Sequence, residues 1–252
     1  RWLKSAATAL PPGLLARGPD NVAPPWPDLV IASGRKCVAL ALAIRRASQG
    51  GSFVIFVQNP RWGRAGFDLI VAPRHDALSG DNIFPTRGAL SRVNQASLSA
   101  AAAEFAPAFA GLPRPLVACL IGGTSRRHRL TPEGARSIGE ALAKLAAGSG
   151  CGLLITASRR TPPASFAALE TALAGAPAFI WRGAGENPYL GLLGLADMIV
   201  VTADSVSMVS EALATGKPVH VIECEGLSRR FGTFHAGLRA AGLTRPFRGH
   251  LE

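Results

Sequence analysis

The chain is poor in the features that usually declare a function outright. It has 4 cysteines, Cys37, Cys119, Cys151 and Cys224, and no two of them form a C-x-x-C pair. Cys119 and Cys224 lie inside apolar runs. They read as buried small hydrophobes of a reducing compartment, not as disulfides or zinc ligands. The 5 histidines are scattered without metal-ligand spacing, so no metal site is expected. No apolar run reaches the roughly 18 residues a membrane span requires. No charged start followed by an apolar stretch marks a signal peptide, and the first residue is Arg1, so the natural start is expected to lie upstream. A G-x-G-x-x-G fingerprint, a P-loop lysine motif, a Ser-His-Asp order and a paired-carboxylate spacing are all missing.

Acidic residues are also scarce. Asp and Glu number 16 against 27 Lys and Arg, a formal net charge of +11. That balance suits nucleic acid, anionic lipid or phosphorylated ligands. It also suits an Arg-rich composition inherited from a GC-rich genome, because the arginines are spread along the chain rather than gathered in one block. Arg126-Arg127 and Arg159-Arg160 stand out by position. The 252 residues are 48% hydrophobic, enough for one large or two ordinary domains with a buried core.

The apolar pattern is one of short runs followed by turns. Residues 28–34 (DLVIASG) form a strand running into a glycine turn, and residues 35–48 have helical spacing. Residues 52–58 and 67–73 are strand-like, 83–86 is a further short strand, and 95–109 is Ala-rich and helical. Runs this continuous suit strands buried on both faces of a parallel sheet. Two prolines within Leu112-Pro113-Arg114-Pro115 mark a linker. Beyond it strands at 116–121, 153–157, 178–181, 198–201 and 219–222 each lead through a turn into a helix. Thr131-Pro132 and Thr161-Pro162 open two of these helices with proline at the first turn. The fold class expected is α/β, with two Rossmann-like domains, 1–112 and 113–252. The first looks incomplete: residues 1–27 supply no opening strand and turn, so a first βα unit is expected to be missing.

Ligands of open parallel sheets bind where strands end and helices begin, and each helix start offers N–H donors and partial positive charge. Four such loops fall in the second domain. Gly122-Gly123-Thr124-Ser125 allows close approach to the backbone. Ser158-Arg159-Arg160-Thr161 adds two guanidiniums suited to phosphate. Glu186-Asn187-Pro188-Tyr189 follows the third strand, and Thr202 to Ser207 follows the fourth. Asp204 or Ser205 can cap the last of these helices, and Ser207 and Glu211 share its face. A phosphate on the helix start would leave Glu211 to accept ribose hydroxyls; plain capping with a solvated Glu is the alternative. In the first domain, Pro73-Arg74-His75-Asp76 ends a strand, where a His beside an Asp can act as a general base, bind phosphate, or simply lie at the surface.

Several segments together resemble a known family. IASGRK at 31–36, PRHDALSGDNIFPTRGALSRV at 73–93, IGGTSRRHRLTP at 121–132 and TASRRTPP at 156–163 carry the likeness, as do GENPYLGLLGLADMIVVTADSVSMVSEALATGKPV at 185–219 and the ending RPFRGHLE. They are similar to the mitochondrial-fission family named for elongated mitochondria, which has many bacterial members. The resemblance covers essentially the whole chain, and the 185–219 motif is its most specific part. It implies a GT-B-like fold, with two Rossmann-like domains facing a cleft and a nucleotide sugar held mainly by the second. It also implies that Ser205, Ser207 and Glu211 hold diphosphate and ribose, and that the last helix, within 229–245, packs back on the first domain. Members usually carry a further N-terminal segment with a Gly-rich turn, which is not present here.

Two functions follow as expectations. One is a metal-independent glycosyltransferase of bacterial envelope glycan or glycolipid synthesis, with a nucleotide sugar as substrate and no cofactor. Gly122, Gly123, Ser125, Arg159, Arg160, Asn187, Ser205, Ser207 and Glu211 would bind the nucleotide, and His75 and Asp76 would assist the acceptor. The other is a non-catalytic adaptor of that family, recruiting an unknown protein partner or docking on an anionic membrane surface. Nucleic acid is not an expected partner in either. The expected location is cytoplasmic, with peripheral association at the inner membrane as the alternative.

Overall fold

The computed structural model describes residues 22–125 and 128–250, together with Pro12. The expectations placed on residues 1–21, on Arg126-Arg127 and on Leu251-Glu252 lie outside the described residues. The chain divides into two compact units, Arg1–Leu90 and Ser91–Glu252.

In the first unit β1 (Leu29–Ser33), α1 (Cys37–Ala47), β2 (Phe53–Val57), β3 (Leu69–Pro73) and β4 (Ile83–Thr86) follow one another. The strands lie in the order β1-β2-β3-β4, and every pair is parallel. β1 turns into α1 at Gly34, whose φ of +87° is left-handed and favours glycine. α1 repeats apolar residues at three- and four-residue spacing and buries Val38, Ala41 and Ile44. Val38 and Ala41 join Val54, Phe56, Phe67, Ile70 and Ala72 in one core. The opposite face is different: Leu29, Ile31, Phe53 and Phe84 are each at least 50% exposed. At one end of α1, Arg45 grips Asp68 from Nε and Nη2, the shorter bond 2.7 Å. Asp68 also accepts the Val54 N–H at 2.8 Å, which ties helix, strand and loop together.

The second unit begins with α2 (Gln95–Phe109). Asn94 and Ser97 cap its start reciprocally. Strands and helices then alternate as β5 (Leu116–Ile121), α3 (Pro132–Ser149), β6 (Gly152–Ala157), α4 (Pro163–Ala172), β7 (Ala178–Trp181) and α5 (Tyr189–Leu195). They continue as β8 (Met198–Thr202), α6 (Val206–Ala214), β9 (Val219–Ile222), α7 (Arg229–Ala240) and the two-residue β10 (Arg245–Pro246). The six strands lie in the order β7-β6-β5-β8-β9-β10, all parallel. Both faces are covered. Val117, Cys119 and Ile121 point with Leu153 and Ile155 toward Leu142, Leu145 and Leu169. Ala118 and Leu120 point the other way, with Ile199 and Val201, toward Leu192, Val209, Phe234 and Leu238. This period-two division of continuous apolar strands is why β5 is buried along its whole length.

The sequence expectation put the domain division at 112/113. By packing, α2 goes with the second unit, because Gly191 and Gly194 of α5 let it come unusually close. A Cβ at Gly194 would overlap the Leu98 carbonyl, and one at Gly191 would overlap the Phe105 ring. The carboxyl end of α5 is fixed by Lys217, whose Nζ donates to Leu193 O and Gly194 O, each at 2.7 Å; burial lowers the Lys217 pKa. α7 buries Phe234, His235 and Leu238, the apolar two in the core beneath β8 and β9. The sequence pattern did not reveal β10, which has too few residues to carry a periodicity. Among the described residues no helix is long and apolar enough to cross a membrane.

Two tests follow. Gly194→Ala should lower stability by about 1–3 kcal/mol in urea denaturation, the cost of forcing a methyl into a filled contact. Asp68 is held below the usual carboxylate range chiefly by its hydrogen bond to Arg45. A depressed pKa contributes stability above the unfolded value of about 4, and that contribution is lost as pH falls through the folded value. Asp68→Asn should therefore reduce stability at neutral pH and flatten its decline below pH 4.

Candidate functional site

The order of the second sheet reverses between β5 and β8, which places a crevice at their carboxyl ends. Two glycines leave β5 there, and an acid leaves β8. Gly122 N–H donates to Thr202 Oγ1 at 2.7 Å, and Thr202 Oγ1 donates to Asp204 Oδ1 at 2.7 Å. Gly123 N–H donates to Asp204 Oδ2 at 3.1 Å. Arg160 Nη2 lies 3.4 Å from the same oxygen. The Asp204 side chain is wholly buried, while that of Arg160 is 46% exposed. A buried carboxylate is tolerable only when paired and hydrogen-bonded; here two hydrogen bonds and a guanidinium supply that.

The glycines are required by this packing. A Cβ at Gly122 would overlap the Asp204 carboxylate, and one at Gly123 would overlap the backbone of Arg160-Thr161. The loop after β6 is stitched to them: Thr161 Oγ1 donates to Gly122 O at 2.6 Å, and Thr124 N–H donates to Arg160 O at 3.0 Å. Ser125 N–H donates to His128 O at 2.7 Å. All four N–H groups of 122–125 thus have partners inside the protein. The sequence suggested that this loop would open its backbone to a ligand. Instead the small residues let Asp204 reach the strand end.

The groups that remain for an anion are elsewhere. Ser205 caps α6, its Oγ accepting from Met208 N–H at 3.4 Å, which settles the capping role between Ser205 and Asp204. The N–H groups of Val206 and Ser207 have no partner within the helix, and the helix start is positive. Ser207 is exposed on that first turn, and Arg159 is exposed beside Arg160. One turn along α6, Glu211 Oε2 accepts from the Tyr189 hydroxyl at 2.6 Å. Asn187 is exposed, and its Oδ1 accepts the Tyr189 N–H at 3.1 Å to start α5. Burial and the bond to Glu211 together raise the Tyr189 pKa well above its ordinary value, so the phenol stays protonated.

Behind the crevice lie two further groups. His235 Nε2 meets Ala203 O at 2.8 Å; a carbonyl only accepts, so Nε2 carries the proton. Burial lowers the His235 pKa, and the ring is neutral at pH 7. Burial, with the nearby Asp204 charge, pushes the Cys224 thiol up to about 11. Neither group is set up as a nucleophile or cation. His75 and Asp76 lie in the other unit, in a single turn of 3-10 helix after β3, with His75 buried and Asp76 half-buried. Among the described residues no cluster of three or more His, Cys, Asp or Glu could hold a metal ion.

The structure therefore links Gly122, Gly123 and Arg160 directly, sets Ser205 next to them, and pairs Glu211 with Tyr189. Sequence reasoning placed Thr202, Thr161 and Tyr189 in the crevice loops without giving them a role, and gave Asp204 only a capping role. The signal for Tyr189 was present, since it is the only tyrosine in the chain.

A Rossmann strand order with this crevice belongs to a recognised architecture. The chain superposes on the UDP-GlcNAc 2-epimerase of Methanocaldococcus jannaschii with a TM-score of 0.57 at 15% identity, over 88% of this chain and 67% of that one. It superposes on MurG of Acinetobacter baumannii with a TM-score of 0.50 at 14% identity, over 88% and 60%. The fold is the GT-B-like pairing of Rossmann-like domains. The chain belongs to the mitochondrial fission ELM1 family, whose model matches residues 1–252. It is 34% identical over 247 residues to "Mitochondrial fission protein ELM1" of Arabidopsis thaliana, covering 88% of this chain and 58% of that protein. It is 27% identical over 231 residues to an uncharacterised protein of Rickettsia prowazekii (strain Madrid E), covering 77% and 64%. The chain thus spans less than two thirds of the length of these relatives.

Removing the shared carboxylate tests the site's architecture. Asp204→Ala should cost about 3–5 kcal/mol in chemical denaturation, because it leaves an amide, a hydroxyl and a guanidinium without their partner. The double variant with Arg160→Ala should lose less than the sum of the two single losses.

Proposed function

We propose that the second unit binds a nucleoside diphosphate sugar and that the protein transfers the sugar without a metal, in envelope glycan or glycolipid synthesis. The observation that carries this reading is the half-exposed Arg160, anchored on buried Asp204 beside the start of α6. A fixed guanidinium and a helix N-terminus converge where a diphosphate would sit, and both strengthen as charge builds on a leaving diphosphate. A protein of the same fold, a UDP-GlcNAc 2-epimerase, acts on a nucleotide sugar by its name and lends support to the donor class.

In this account Arg160, Arg159, Ser205 and Ser207 hold the diphosphate, and Glu211 accepts from the ribose. Asn187 lines the turn before α5. Gly122, Gly123 and Ser125 shape the wall of the crevice. The bond from the sugar C1 to the diphosphate oxygen breaks, its electron pair stays on the diphosphate, and an acceptor hydroxyl forms the new bond to C1. His75, with Asp76, is assigned to take the hydroxyl proton; His75 sits at the carboxyl end of β3, where parallel sheets place their reactive groups.

Calorimetry with UDP, GDP, CMP, ADP and TDP and matching sugar conjugates tests this. One nucleotide class should bind, and Arg160→Ala should weaken it about tenfold or more, a loss of about 1.4 kcal/mol or more. Failure of every nucleotide to bind would overturn the reading and favour an adaptor that keeps the fold without the ligand.

A further inference from the structure

A second hollow of the second unit lies between α3 and the segments that follow β9 and β10, and none of the proposed nucleotide-binding residues lines it. It encloses about 810 Å³. Its lining follows α3 from Thr131 to Lys144, about 20 Å of helix axis, so it is a groove and not a round cavity. The floor is apolar. Leu130 is buried, and Ile138, Ile222 and Phe247 are half-buried against the core beneath α3. Hydrocarbon is thus left in contact with water along the groove, and covering it is favourable.

The rim carries an excess of positive charge. Arg129, Lys144, Arg239 and Arg248 line it against two carboxylates, Glu223 and Glu225. Arg239 Nη1 is taken by Glu223 Oε1 at 3.0 Å. Arg129, Lys144 and Arg248 are exposed and have no ion-pair partner among the described residues, which leaves three cations against Glu225.

One polar side chain is built into the wall. His128 lines the groove and is only 7% exposed. Ser125 fixes its backbone from both sides: Ser125 Oγ accepts the His128 N–H at 3.2 Å, and Ser125 N–H donates to His128 O at 2.7 Å. The ring Nδ1 meets Glu225 O at 2.8 Å. A carbonyl only accepts, so Nδ1 carries the proton and Nε2 keeps its lone pair. Nε2 has no partner among the described residues. The wall therefore offers a held acceptor, the floor offers hydrocarbon, and the rim offers cations.

We infer that this groove binds an anionic phospholipid whose headgroup carries a hydroxyl. Arg129, Lys144 and Arg248 draw the phosphate, His128 Nε2 accepts the headgroup hydroxyl, and an acyl chain covers the floor at Leu130, Ile138, Ile222 and Phe247. A free phosphate would use the cations and leave the floor wet. A neutral lipid would cover the floor and leave the cations unmatched. The inference goes beyond the nucleotide reading and does not depend on it.

The test is calorimetry on the full chain with short-chain lipids kept below their micelle concentrations. The ligands are dihexanoyl phosphatidylglycerol, dihexanoyl phosphatidylmethanol (the same charge without a headgroup hydroxyl), dihexanoyl phosphatidylcholine and glycerol phosphate. Phosphatidylglycerol should bind at least about tenfold more tightly than glycerol phosphate, because every two methylenes covered are worth about that factor. It should also exceed phosphatidylcholine and phosphatidylmethanol by about tenfold each, the worth of one good polar contact. Arg129→Ala with Arg248→Ala should weaken phosphatidylglycerol about tenfold or more. Arg136→Ala with Arg35→Ala removes the same charge from exposed positions outside the groove and should change nothing. His128→Phe should bind phosphatidylglycerol and phosphatidylmethanol alike. Glycerol phosphate binding as tightly as the lipid overturns the inference, since the floor is then unused. An equal loss in the two arginine pairs overturns it in favour of diffuse charge. Equal binding of phosphatidylglycerol and phosphatidylmethanol by wild type overturns it, as does the failure of every lipid to bind.

Discussion

Everything at the carboxyl edge of the second sheet depends on one buried carboxylate. Asp204 leaves β8 and faces the end of β5 across the point where the strand order reverses. It accepts from a backbone amide and a hydroxyl and neutralises a guanidinium. Without it, Gly123 N–H and Thr202 Oγ1 would be buried donors with no acceptor, which is costly in a low-dielectric interior. With it, three loops become one rigid body: the glycine turn after β5, the arginine turn after β6 and the start of α6. The bare faces of Gly122 and Gly123 are the steric condition for that junction, since a side chain at Gly122 would displace the carboxylate and one at Gly123 would overlap the Arg160-Thr161 backbone.

This has consequences for the chemistry. The amides of 122–125 are engaged within the protein, so the proposed diphosphate contacts fall to the α6 start and to the outer edge of Arg160. The histidine and the thiol behind the crevice are both neutral because burial disfavours their charged forms. On the proposed reading the second unit binds and orients a negative ligand and does not move protons. In the proposed transfer, the proton goes to groups outside that crevice.

Much of the fold was legible because both faces of the second sheet are buried. Continuous apolar runs such as LVACLI at 116–121, closed by Gly-rich turns and Thr-Pro helix starts, admit few other readings. β10 was not legible, because two residues carry no period. The membership of α2 in the second unit was hidden too. The prolines at 113 and 115 signal a break in the chain, but the packing that decides the matter lies in glycines of α5 far along the sequence. Site residues were legible as types and positions and not as bonds. Arg160 and Ser205 stand out in any βα turn. That Asp204 turns inward could be known only from the strand order, which sets β8 beside β5. The Tyr189–Glu211 bond spans 22 residues and leaves no local pattern.

The most direct measurement is a crystal structure of the protein with a bound nucleoside diphosphate, UDP first. The account predicts the diphosphate against the first-turn amides of α6 and the Arg160 guanidinium, the ribose on Glu211, and Asp204 unmoved and out of contact with the ligand. Phosphates bound instead by the amides of 122–125, with Asp204 swung away, would contradict it.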